Sequence, residues 1–381
     1  MISFYPSSVI ELPGWPISDA RETALLQEVL ASPQWGGFNP LVASFEDAFA
    51  AYQGARFGVS AVNGTVTLEM MLVCAGIKPG DEVIVPAISF ISTASAVTRI
   101  GAVPVFVDIE PYSFNMCPEA VRAAIGPATK AVMGVHFGGS MAEVDALTAI
   151  CSEHGLLFFE DAAHAHGSEW NGKRAGSFGL ASSFSFQNGK VMTAGEGGIV
   201  LTSDEGLAAR MRSFANQGRR PGYSFFHHFE AGNNYRLSAL HAAVLTAQLE
   251  RLDAQIALRT ANWAAFLEEY GSASGITWQQ IPKAVNRNSM YLILGRVANG
   301  GRDAFCSRMQ GEGVPCTPFY PHPLYGNPMY ASGDSPCRVM PCPNTEAYIG
   351  DAFWIGFRAL MGDEATTRAV ARCVVAAIGG G

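Results

Sequence analysis

Leu156-Leu157-Phe158-Phe159-Glu160-Asp161 is an apolar run that closes on two carboxylates. Runs of the same kind precede it: Glu82-Val83-Ile84-Val85-Pro86, Val103-Pro104-Val105-Phe106-Val107-Asp108 and Ala131-Val132-Met133-Gly134-Val135-His136. Short, near-continuous apolar runs suit strands covered on both faces. Between and after them lie helical patterns over 66–75, 93–99, 118–125 and 142–154. This alternation predicts an α/β fold, with a mostly parallel sheet between helices. In such sheets the ligand crevice lies beyond the carboxyl ends of the strands. Asp161 and His136, each at the end of a run, therefore stand out before any motif is considered.

After Gly232 the pattern changes. Residues 236–266 read as one long helix, with Leu240, Val244, Leu245, Leu249, Leu252 and Ile256 forming an apolar stripe. From about Ser272 the chain reads as a smaller C-terminal α+β domain. The expected division is a large domain over 1–250 and a smaller one over 251–381. The stretch 315–330, rich in Pro, Tyr and His, reads as a loop.

Composition sets outer limits. A chain of 381 residues with 49% hydrophobic content is long enough for two cores. Its net charge of -8 is scattered and no basic run occurs. Nucleic acid and anionic membrane are thus not expected partners, since phosphate-backbone binding needs clustered Lys and Arg. Met1-Ile2-Ser3-Phe4-Tyr5-Pro6 has no basic stretch followed by an apolar run, so a cytoplasmic protein is expected. The eight cysteines form no CxxC pair, and no His neighbours Cys337 and Cys342, the closest two. Free thiols are expected rather than disulfides or zinc.

Several short motifs carry chemistry in combination, although each has a plain reading alone. Lys190 follows the aromatic run Phe184-Ser185-Phe186-Gln187-Asn188-Gly189 and precedes Gly195-Glu196-Gly197-Gly198. Alone it reads as a solvated surface lysine. Asp161, in Glu160-Asp161-Ala162-Ala163-His164-Ala165-His166, suits pairing with a protonated ring nitrogen. It reads equally as a helix N-cap. His164 and His166 find no third ligand at suitable spacing, so no metal is expected. Asn63-Gly64-Thr65 opens a helix, and backbone N–H groups there suit a phosphate. An ordinary helix start fits as well. Phe90, in a strand-to-helix turn, suits stacking over a flat ring or plain core packing. No GxxxxGK[ST] and no strand-linked GxGxxG occurs, which leaves NTPase and dinucleotide readings without support.

Taken in order, Asn63-Gly64-Thr65, Val85-Pro86 through Phe90, Glu160 to His164, Phe184-Ser185-Phe186 with Lys190, Gly195 to Gly198 and Asn234-Tyr235-Arg236 resemble the DegT-type sugar and cyclitol aminotransferases. These are fold-type I enzymes that use pyridoxal 5'-phosphate. The resemblance implies a large pyridoxal-phosphate-binding domain and a role for each residue. Lys190 would carry the cofactor as a Schiff base and then shuttle protons, and Asp161 would pair with the pyridine nitrogen. His164 would contact the ring hydroxyl, while Gly64, Thr65 and Ser185 would bind the phosphate. Phe90 would stack on the ring. Asn234 would reach the phosphate of a neighbouring subunit, so the active sites would be shared in a homodimer.

The implied reaction moves an amino group from L-glutamate or L-glutamine to a keto-sugar or cyclitol ketone. Gln187 after Phe186, and Asn216-Gln217-Gly218-Arg219 further on, resemble the inosose and aminohydroxybenzoate branches more than the nucleotide-sugar branch. A nucleotide-sugar aminotransferase, an aminohydroxybenzoate-synthase-like lyase using Lys190 as a dehydrating base, and a non-catalytic regulator remain alternatives. The regulator predicts loss of Lys190 or Asp161, and both are present. Tyr320, His322 and Tyr325 suit a polyol pocket or a plain surface loop.

Overall fold

A computed structural model describes residues 9–297 and 300–379. Met1 to Pro6, read above for a leader, lie outside the described residues. Helices α1 (Ala20–Ala31) and α2 (Pro40–Gln53) lead into β1 (Phe57–Ala61) and α3 (Gly64–Cys74). Strand–helix pairs follow: β2 (Glu82–Pro86) with α4 (Ser92–Arg99), β3 (Val103–Val107) with α5 (Pro118–Ala124), and β4 (Thr129–Val135) with α6 (Val144–His154). Gly155, in the left-handed region at φ 64, stops α6 and turns the chain into β5 (Leu157–Asp161). A short ribbon, β6 (Glu169–Trp170) and β7 (Lys173–Arg174), precedes β8 (Ala181–Ser185), β9 (Gly198–Thr202) and α7 (Glu205–Ala215).

These strands build an eight-stranded sheet in the order β1-β9-β8-β5-β4-β2-β3, completed at the β3 edge by Arg338–Val339. Only β9 runs against its neighbours β1 and β8; the other pairings are parallel. Successive side chains of one strand enter opposite cores. Val132 packs with Phe45, Leu147, Phe184 and Leu245 on one face. Ala131 and Met133 pack with Leu68, Met71, Val85 and Met211 on the other. This two-sided burial accounts for the apolar runs in the sequence.

The long helix α8 (Ala239–Tyr270) starts at Ala239 rather than at the Arg236 of the sequence reading, because the Ser238 side chain accepts the His241 N–H and caps it, and it runs past Phe266 to Tyr270. It passes through the position where the sequence reading divides the domains. Beyond it come β10 (Ile276–Trp278), β11 (Val285–Arg287), β12 (Leu292–Val297), α9 (Arg302–Gly311), β13 (Cys316–Pro318), α10 (Pro328–Ala331), β14 (Arg338–Val339), α11 (Pro343–Asp351), β15 (Ala352–Gly356) and α12 (Glu364–Gly379). A four-stranded antiparallel sheet, β10-β12-β15-β13, packs on α9 and α12 through Phe266, Met309, Phe353 and Val374. Two later segments return to earlier parts of the chain: β14 extends the large sheet, and β11 pairs with β6.

The stretch 315–330 is not all loop. Cys316 to Pro318 pair with β15, and α10 follows a single helical turn at Leu324–Gly326. The proline is tolerated because β13 is the edge strand, where a missing N–H interrupts no ladder. Among the described residues no helix is long and apolar enough to cross a membrane.

Candidate active site

The carboxyl ends of β2, β4, β5 and β8 open onto one cavity of about 580 Å³. That volume suits a cofactor with a small substrate. Its walls include Asn63, Gly64, Thr65, Phe90, Asp161, His164, Ser185 and Lys190. Asn234, the remaining cofactor-binding candidate, lies outside this set. It lies exposed, in an isolated antiparallel bridge with Asn216.

Asp161 is the last residue of β5 and is buried. No helix follows it, so it is not an N-cap. Its Oδ2 accepts the Thr93 hydroxyl at 2.7 Å and its Oδ1 the Ala163 N–H at 3.3 Å. Ser89 Oγ lies 2.7 Å from Thr93 Oγ1, forming a hydroxyl relay into the carboxylate. Burial raises the carboxyl pKa, against the Thr93 and Ala163 hydrogen bonds that lower it. The buried carboxylate has no cation at hydrogen-bond distance among the described residues, although Lys190 acts on it through space. A group in that state suits a cationic ring nitrogen placed against it.

Lys190 sits in a turn closed by its own N–H to the Gln187 carbonyl at 2.9 Å. The Gln187 side chain accepts the Gly189 N–H at 2.7 Å, stiffening the turn. Burial lowers the Lys190 pKa to about 8, opposed by Asp161. An amine tuned to that range exchanges protons near neutral pH. Its Nζ lies over the face of the Tyr291 ring, 4.8 Å from the centroid.

His164 is fixed in orientation. The Gly138 N–H donates to its Nδ1 at 3.3 Å, which leaves the proton on Nε2. Burial, with Lys190 and His166 nearby, holds its pKa well below the usual imidazole value. His166 is held at about 3 by burial and packs among Phe49, Phe184 and Phe186. It faces the aromatic core rather than the cavity.

One end of the cavity is built from three chain segments. Asn63 caps α3 by accepting the Val66 N–H at 3.0 Å. Gly64 is the first helical residue, and a Cβ there would meet Ser185 Cβ at 2.7 Å and Oγ at 3.1 Å. The Thr65 hydroxyl lies 2.7 Å from Ser92 Oγ. A helix N-terminus, several hydroxyls and a hollow that a methyl would fill together suit an anion. With the unpaired Asp161 and the tuned Lys190, these residues fit pyridoxal 5'-phosphate.

Phe90 stands at the cavity mouth with 58% of its surface exposed, so it is not core. The chain beyond α8 adds Tyr291, Leu292, Tyr320 and Trp354, and the glycine cluster adds Glu196. Of the three residues read as a polyol pocket, only Tyr320 lines the cavity. Tyr325 packs on Phe106 and donates to Glu346 at 3.1 Å, and His322 Nδ1 lies 3.1 Å from the Pro323 carbonyl. Sequence reading missed Thr93 and Tyr291. Thr93 opens the helical pattern 93–99, where a hydroxyl at a helix start is a usable signal. Tyr291 has no local motif.

The sequence profile of the DegT/DnrJ/EryC1/StrS aminotransferase family matches residues 16–374. A 3-amino-5-hydroxybenzoate synthase from Amycolatopsis mediterranei (strain S699) is 39% identical, with 97% of each chain covered. A putative L-glutamine:3-amino-2,3-dideoxy-scyllo-inosose aminotransferase from Streptomyces kanamyceticus is also 39% identical, over 80% of this chain and 76% of that one. Among solved structures, a 3-amino-5-hydroxybenzoic acid synthase superposes with a TM-score of 0.92 at 37% identity, covering 98% of this chain and all of that one.

Proposed function

The chain belongs to the DegT/DnrJ/EryC1/StrS aminotransferase family, and on that premise we propose that it moves an amino group from L-glutamate or L-glutamine to a cyclitol ketone or keto-sugar. One observation carries the reading: buried Asp161, without a contacting cation, shares a cavity with Lys190, whose pKa is lowered to about 8. Pyridoxal 5'-phosphate, when bound, supplies an electron sink for the charge left when a Cα proton departs.

The chain's own residues do the rest. Gly64, Thr65 and Ser185 would hold the phosphate, and Asp161 would keep the ring nitrogen protonated. His164 would offer its Nε2 proton to the ring hydroxyl, and Phe90 would lie beside the ring. Lys190 would hold the cofactor and, as a free amine, move a proton at Nζ. Leu292, Tyr320 and Trp354, on the small-domain side, narrow the space left for the acceptor.

Asn234 lies outside the cavity of its own chain, which supports a role in a second copy. Beside it, Tyr223, Phe225, Phe226 and Phe229 are 62%, 56%, 81% and 42% exposed, an aromatic arm that suits burial in a homodimer. Sedimentation should give a dimer, and a monomer that binds cofactor fully would remove the shared-site reading.

The experiment is direct. Purified protein with pyridoxal 5'-phosphate should absorb visible light, and borohydride should fix the cofactor on the peptide holding Lys190. Lys190→Ala should abolish that attachment. A colourless wild-type protein that takes up no cofactor would refute the proposal. For the acceptor, the aminated cofactor form is offered scyllo-inosose and a nucleotide keto-sugar. Return of the visible band with the inosose alone is expected. The full-length likeness to a 3-amino-5-hydroxybenzoate synthase favours a second reading, in which Lys190 serves as a dehydrating base. A new aromatic product formed without consumption of amino donor would establish it.

A further inference from the structure

Tyr291 is held with unusual firmness for a residue just outside a strand. The residue before it, Met290, adopts the left-handed region at φ 54, a costly conformation for a side chain of its kind. Its N–H is satisfied by Asn288 Oδ1 at 2.8 Å. Ser289 is tied at three points. Its N–H donates to Ser168 Oγ at 2.9 Å, its hydroxyl donates to the His164 carbonyl at 2.6 Å, and its own carbonyl accepts from Arg259 Nε at 2.9 Å. Arg259 is fully buried and forms no salt bridge among the described residues. Its other hydrogen bond goes to Met361 Sδ at 3.4 Å, so a buried guanidinium carries a large desolvation cost with one carbonyl and one thioether as acceptors. Together these contacts fix the segment that presents the Tyr291 ring to Lys190 and, at 4.4 Å, to His164.

We propose that Tyr291 is a positioning residue for Lys190, its ring face holding the ammonium form of the lysine at the centre of the cavity. The inference rests on the cofactor-binding reading of that cavity. An aromatic face attracts a cation through its quadrupole and does little for a neutral amine. The ring therefore steers Nζ and favours its charged state, which burial disfavours. Other groups face Lys190 as well. Asp161 at the end of β5 favours the charge, whereas His164 and His166 in the following turn are coupled to it. Tyr320 and Glu196 complete the titratable groups of the cavity wall. All of these stay in place when only the Tyr291 ring is changed.

The test uses the full-length protein stripped of cofactor, with the rate of pyridoxal 5'-phosphate capture measured against pH. Capture requires the neutral amine, so the rate rises through the Lys190 pKa. Tyr291→Leu and Tyr291→Met should move the midpoint down by about 0.5–1 pH unit. Capture below the midpoint should then run roughly three- to tenfold faster than in the wild type. Tyr291→Phe keeps the ring and should keep the wild-type midpoint. Should the aliphatic variants fail to fold, pentafluorophenylalanine at 291 decides, since it keeps the shape and reverses the charge of the face; its midpoint should fall. Equal midpoints with and without an electron-rich ring would overturn the inference and leave the cofactor reading intact. A wild-type protein that captures no cofactor at any pH would bring down that reading and this inference with it.

Discussion

Replacing Thr93 by Val removes the hydroxyl that joins Ser89 to Asp161, with almost no change in shape. Thr93 is fully buried, and its hydroxyl donates to Asp161 Oδ2 at 2.7 Å. A hydrogen bond to a charged group contributes about 1.5–3 kcal/mol. That corresponds to about one to two units of carboxyl pKa. The direction follows from the state that is stabilised. Thr93 favours the carboxylate, so its loss raises an Asp161 pKa that burial has already raised. The ionised form, which pairs with the ring nitrogen, then disappears sooner as pH falls. In single-turnover reaction with L-glutamate, the acid limb of the rate profile should move up by about one to two pH units. At a pH below both limbs the rate should fall about ten- to a hundredfold. Thr93→Ser restores the donor and should restore the limb. A Thr93→Val protein with an unmoved acid limb would refute the role assigned to the relay.

Two further outcomes follow from contacts already described. Gly64→Ala places a methyl 2.7 Å from Ser185 Cβ and 3.1 Å from its Oγ, so the phosphate hollow closes. Overpacking of this kind costs about 1–3 kcal/mol, and fluorescence titration should show cofactor affinity reduced by about tenfold or more. Glu160→Gln acts on stability. Glu160 accepts the Gly176, Phe178 and Gly179 N–H groups at 2.7–2.8 Å and His136 Nε2 at 3.0 Å. An amide strands donors on one side, at about 1–3 kcal/mol each, and should lower the thermal midpoint. Burial pushes the Glu160 pKa up, but His136 and the backbone donors outweigh it, so the folded pKa is lowered. Its contribution is therefore complete above the ordinary Glu value, about 4.3, and is lost as pH falls below it. The gap between wild-type and variant melts should hold from pH 7 down to the ordinary Glu value and narrow below it.

The parts of the site that were legible in sequence lie on single short segments. Asp161 ends an apolar run, Gly64 opens a helix, and Lys190 sits between an aromatic strand and a glycine cluster. Burial on both faces and strand ends at one edge of the sheet made these positions readable. Tyr291 and Trp354 were not legible, because their place in the cavity depends on how the small domain packs on the large one. The 315–330 stretch misled for a related reason. Its prolines argue against a strand in isolation, and pairing with β15 at a sheet edge overrides them. The helix α8 starts at Ala239 and not at Arg236 because Ser238 supplies a capping hydroxyl just before the apolar stripe begins at Leu240.

The reversed strand β9 has a consequence for assembly. It lies between β1 and β8, and its first residue, Gly198, has no room for a side chain: a Cβ would meet the Asn63 carbonyl carbon at 2.6 Å. The Asn63-Gly64 turn can approach Ser185 only across that glycine. Residues 57–61, 181–185 and 198–202 must therefore all be paired before the phosphate hollow exists. A chain that has not yet made residue 198 carries Lys190 and Asp161 but no cradle. Closing the sheet is then the step that completes the hollow. Cofactor binding is therefore expected only after these three strands have paired, and binding to the paired form alone would add to its stability.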